Sequence, residues 1–127
     1  MSKDALMDGF SFDYSWVKRF ELRFEGESFQ VELSLWSPDK EPPTDEQKAA
    51  LRLFVEKQAS FEERAGQLLS AYVQQEGIAN PKAVPTTLLF QQDGSFGLLF
   101  DCSWDEEHGV VVVLHPEEQV GAQDIFL

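Results

Sequence analysis

The chain has 127 residues, the size of one ordinary domain. Its 43% hydrophobic content, with 11 Phe, is too apolar for a disordered tail. Asp and Glu total 23 against 10 Lys and Arg, a net charge of −13, which disfavours nucleic acid and anionic membranes because phosphate binding rests on basic side chains.

No apolar run approaches the ~20 residues that span a bilayer. Met1–Asp8 lacks the basic and apolar stretches of a signal peptide. The lone cysteine, Cys102, excludes an internal disulfide framework and fits a reducing compartment. The expectation is a single cytoplasmic domain over residues 1–127.

In chain order, Phe10, Phe12, Tyr14 and Trp16 alternate as an opening strand or extended arm. Phe20, Leu22 and Phe24 alternate with Arg19, Glu21, Arg23 and Glu25, the period-two mark of a strand with one wet face. Glu25–Ser28 reads as a turn into a second strand, with Phe29, Val31, Leu33 and Leu35 on one face. Thr44-Asp45-Glu46-Gln47 is a capping box that opens a helical stretch ending near Gly77. Ser60-Phe61-Glu62-Glu63 is a second such box, so one long helix and two helices broken near Gln58–Ser60 both fit.

Beyond Pro81 and Pro85, residues 86–92 and 95–104 read as a hairpin about Asp93-Gly94. Asp105–Gly109 is expected to turn the chain into Val110–Leu114, a run apolar on both faces and hence a central strand. Gln119–Leu127 supplies a last strand or tail. The fold class expected is α+β, an antiparallel sheet of about five to six strands in the order ββ-α(α)-βββ with helices packed on one face. The other face then needs its own cover, whether the N-terminal arm, a tail or another subunit.

All ten basic residues lie between Lys3 and Lys82, so residues 83–127 hold eight carboxylates and no Lys or Arg. Such a surface steers a basic protein partner, and it also simply keeps a Phe-rich domain soluble. The densest polar cluster is Asp101-Cys102-Ser103-Trp104-Asp105-Glu106-Glu107-His108. Asp105, Glu107 and His108 are oxygen and nitrogen ligand types, yet their spacing matches neither an EF-hand loop nor a His-Glu-x-x-His zinc site. A shaped hairpin loop explains the same residues.

Cys102, on the apolar face of its strand, reads as an inert thiol without a basic neighbour. There is no phosphate loop, nucleophile elbow or Cys-x-x-Cys. No enzyme activity and no cofactor are expected.

Trp104-Asp105-Glu106-Glu107-His108-Gly109-Val110, followed by Val120-Gly121-Ala122-Gln123-Asp124, resembles the Trp-Asp-x-Glu-His-Gly…Val-Gly-x-x-Asp signature of a family of uncharacterised small bacterial cytosolic domains. Upstream, Trp16, Thr44, Gln47 and Tyr72 fit the same pattern. Related small domains occur among presumed immunity proteins of bacterial toxin systems, so the resemblance implies an antitoxin-like role. The residues expected to meet a partner are Asp101, Trp104, Asp105, Glu106, Glu107, His108 and Asp124. The alternatives are a metal- or small-ligand-binding protein using the acidic/His turn, and a homo-oligomeric structural protein such as a homodimer.

Overall fold

A computed structural model describes residues 9–126, with the side chains of Glu106 and His108 outside the description. The reading of Met1–Asp8 as no signal peptide therefore concerns residues outside those described. Seven strands and two helices follow in order: β1 (Ser11–Phe12), β2 (Ser15–Phe24), β3 (Glu27–Trp36), α1 (Asp45–Glu56), α2 (Gln58–Glu76), β4 (Ala83–Phe90), β5 (Phe96–Cys102), β6 (Asp105–His115) and β7 (Gln119–Ala122). The described strands form one sheet in sequential order, β1 through β7.

The expectation of an antiparallel sheet of five to six strands is corrected. Strand accounts for 43% of the described residues and helix for 29%, so the sheet dominates. The sheet is mixed, because β3 and β4 run parallel, with Leu33 opposite Leu88 and Leu35 opposite Phe90. The physical reason is the helical excursion between them. An α1–α2 crossover returns the chain to the end where β3 began, whereas antiparallel neighbours need only a short turn. The two terminal segments, read as strand or arm and as strand or tail, both contribute short strands, β1 of two residues and β7 of four.

The helices are separate. Thr44 caps α1 as a complete box, with Gln47 N–H donating to Thr44 Oγ1 at 3.0 Å and Thr44 N–H donating to Gln47 Oε1 at 2.9 Å. The buried Gln47 then spends both amide protons on the last carbonyls of the parallel strands, Trp36 at 2.9 Å and Phe90 at 3.1 Å. One side chain thus fixes helix start, strand ends and register. The break falls at Lys57, and α2 has no side-chain cap, so the second capping box is not used. Glu62 is drawn elsewhere: its carboxylate accepts from Arg23 N–H at 2.8 Å and from Gln58 Nε2 at 2.9 Å, covering the open edge of β2. Gly77, left-handed at φ 67°, ends α2.

Two apolar clusters lie on opposite faces of the sheet. The larger takes Leu22, Leu33, Phe54, Ala65, Phe90, Phe96, Phe100 and their neighbours, with both helices contributing. Its centre is aromatic: Phe54 stacks on Phe61 at 5.5 Å and meets Phe96 edge-on at 5.7 Å. The smaller cluster is Leu89, Leu99, Val111 and Val113, with Phe126 packed against it. Of the three covers weighed for that face, the C-terminal tail is the one observed. Gln91 Nε2 donates to Phe126 O at 2.7 Å and holds it there. The arm goes elsewhere, Phe10 joining the helix-side core. No helix of the described residues is long and apolar enough to cross a membrane.

Candidate functional site

The acidic segment folds differently from a plain turn. The reversal is made by Ser103 and Trp104 alone, since Cys102 pairs with Asp105. The next pair is Phe100 with Val110, so a single residue of β5, Asp101, lies opposite four of β6, Glu106 to Gly109. The expected turn at Asp105–Gly109 is thus corrected to an enlarged bulge inside a strand.

Gly109 makes the bulge possible. Its φ is 66°, and a Cβ there would lie 2.6 Å from Phe100 O and 2.5 Å from Gln123 Nε2. Gln123 crosses that gap to donate from Nε2 to Phe100 O at 3.1 Å. The tail is therefore pinned to the bulge by one amide and to β4's end by another.

This geometry gathers several of the candidates. Phe100, Val110 and Ala122 share one register row across β5, β6 and β7. Asp101, the bulge and Asp124 consequently occupy one end of the sheet, with Asp101, Glu107 and Asp124 exposed. Asp105 is half-buried beside Tyr72 of α2. The Tyr72 phenol is raised above its usual range by burial first, then by the negative charges of Glu76 and Asp105. Trp104 is half-buried and packs on the helix-side core, so it is partly a structural residue. The segment before β4 is tied to the same turn, with Ser103 N–H donating to Lys82 O at 2.9 Å and Lys82 N–H donating to Ser103 Oγ at 3.1 Å. The side chains of Glu106 and His108 lie outside the described residues.

Cys102 is buried, and its thiol is pushed up to about 11, mainly by burial and then by Asp101. A neutral, enclosed thiol is a poor nucleophile. Among the described residues, no three of His, Cys, Asp and Glu stand close enough together to hold a metal ion. The other histidine, His115, is half-buried and stacks on Phe96 at 5.3 Å, so it belongs to the core's edge rather than to an open surface.

Bulge, pinned tail and acidic end together occupy the C-terminal third. Residues 80–127 match a domain of unknown function, DUF6985. The DUF6985 match runs from just before β4 to the end of the tail and so includes every candidate partner residue. The resemblance read from the sequence extends upstream to Trp16, whereas the DUF6985 match does not. No curated protein and no solved structure matches the chain. Within the DUF6985 segment, sequence reasoning missed the role of Gln123. Its signal was present in the pairing of Gly109 with a glutamine inside the second half of the motif.

Proposed function

We propose that this chain is a non-catalytic interaction domain whose partner is a basic protein, most concretely an immunity-like inhibitor of a basic bacterial toxin. The observation that carries the reading is the fastening of an acidic end. Exposed Glu107 on the bulge, Asp101 opposite it on β5 and Asp124 just after β7 share one end of the sheet, where Gly109 and Gln123 lock the bulge. A rigid array of like charges speeds encounter with an opposite patch and costs little ordering on binding. The resemblance to presumed immunity proteins points the same way. In this reading charge sets the association rate, and a few apolar anchors set the lifetime of the complex.

The test is affinity capture at low salt by the wild-type chain and by a triple variant, Asp101→Lys, Glu107→Lys and Asp124→Lys. Retention of a basic protein by the wild type alone, released by salt, is the expected result. Identical proteins on both baits would sink the reading.

A further inference from the structure

Residues 123–126, which follow β7, cross the face of the sheet opposite the helices and are fastened at two separated points. At one end, Gln123 Nε2 donates to Phe100 O beside the bulge at 3.1 Å. At the other, Gln91 Nε2 donates to Phe126 O at 2.7 Å. Both anchors belong to fixed parts of the sheet. Phe100 pairs with Val110, and Gln91 N–H donates to Ser95 O at 2.8 Å in the β4–β5 turn. Gln91 follows Phe90, whose partner on β5 is Phe96, four residues from Phe100 and so about 13 Å along the strand.

Between those points the segment has few contacts of its own. Asp124 is exposed, and Ile125 stays 47% exposed although its Cδ1 rests over Gly121. Phe126 packs on Leu89, Leu99, Val111 and Val113. Segments with little buried apolar contact occupy the low-stability end of a fold and open without the rest.

This segment is nevertheless stiff. Phe126 N–H donates to Gln123 O at 3.0 Å, closing one short helical turn. That bond joins the residue at one anchor directly to the residue at the other. Lifting Phe126 while Gln123 stays seated would break the turn, so the two ends move together.

We infer that residues 123–126 form a two-point strap, docked or released as one unit, through which the apolar patch under Phe126 controls the closure of the Gly109 bulge. Docked, the strap covers the patch and plugs the bulge. Released, it bares Leu89, Leu99, Val111 and Val113 and withdraws the amide that Gln123 gives to Phe100 O. An apolar group seated on the patch would displace Phe126, and with it the plug of the bulge that carries Glu107. By linkage the effect runs both ways, so whatever holds the bulge closed also keeps the patch covered. The inference goes beyond the interaction-domain reading and holds whatever meets the acidic end.

The two latches carry their own reporters, the side-chain amide protons of Gln91 and Gln123. Their exchange with solvent is followed by NMR on the full chain, with the backbone amides of β2 and β3 as the control for global unfolding. Phe126→Ala is expected to speed exchange at both glutamines by the same factor, at least about tenfold. Gln91→Ala removes the far anchor alone and is expected to speed exchange at Gln123 about three- to tenfold. Gln123→Ala, read at Gln91, should do the same in the opposite direction. The β2 and β3 amides keep wild-type rates throughout. Should Phe126→Ala loosen the whole sheet, Phe126→Leu keeps an apolar cover and gives a smaller rise, again equal at the two glutamines.

Two independent contacts would behave otherwise. Gln91→Ala would then leave exchange at Gln123 within about twofold of wild type, and the Phe126 variants would act on Gln91 alone. Either result overturns the inference.

Discussion

The chain reverses direction after β2 and again after β5, and the two reversals are built on opposite principles. At Glu25-Gly26 the ladder is unbroken up to Phe24 and resumes at Glu27, with φ of 51° and 85° at the two turn residues. Nothing lies within 4 Å of where a Cβ on Gly26 would be. At Ser103–Gly109 the reversal is also made by two residues, but a three-residue excess follows it and is plugged from outside by Gln123. The first glycine answers only to its own backbone. The second answers to its backbone, a carbonyl across the ladder and a side chain fourteen positions on. The difference teaches that a left-handed glycine is a local turn device in one place and a packing device in the other.

Substitution by alanine turns that contrast into numbers. Gly109→Ala should cost about 3–4 kcal/mol, combining the left-handed backbone cost with a contact near 2.6 Å that backbone atoms must yield to relieve. Urea unfolding measures it, and a loss below about 1.5 kcal/mol would show that the bulge relaxes freely. Gln123→Ala is expected to cost about 1–2 kcal/mol, from one lost hydrogen bond and a less satisfied carbonyl on the buried Phe100. It should also raise amide exchange across β6 and β7, whereas exchange in the β2–β3 hairpin stays unchanged. Gly26→Ala should cost about 1 kcal/mol, because only the backbone objects.

The smallest effect near neutral pH concerns Cys102, the partner of Asp105 in the bulged strand's first pair. Its folded thiol titrates at about 11 against 9 for the free group, so the folded state holds the proton more tightly. That contribution is whole below pH 9 and fades as pH rises through 11, and Cys102→Ala should flatten the alkaline slope. In the native chain at pH 8, labelling by a disulfide reagent should be far slower than in urea. Equal rates would place the thiol on an open surface.

The same contrast explains what was legible in the sequence. Arg19–Phe24 and Phe29–Leu33 alternate cleanly because each stretch has one charged or polar face and one buried face, and pattern and fold agree there. Thr44 and Gln47 announced the start of α1, although not the two strand carbonyls that Gln47 also holds. Those carbonyls belong to residues 11 and 43 positions away, and local pattern carries no record of them. Asp105–Gly109 misled for a related reason. Acidic residues before a glycine read as a turn, yet register is set by pairing with β5 and by Gln123, neither of which is local. The parallel pair of β3 and β4 was hidden likewise, since alternation shows which face a residue takes and not which way its neighbour runs. The acidic end was visible as composition, and its assembly from Asp101, Glu107 and Asp124 required the row that joins β5, β6 and β7.

The central claim is that this fastened acidic end receives a basic protein. The most direct measurement is the association rate of the captured partner across ionic strength, for the wild type and for the Asp101→Lys, Glu107→Lys, Asp124→Lys variant. The account predicts a wild-type rate that falls steeply as salt rises and a variant that is slower at low salt with a much shallower dependence. Equal rates in the two proteins, insensitive to salt, would contradict it.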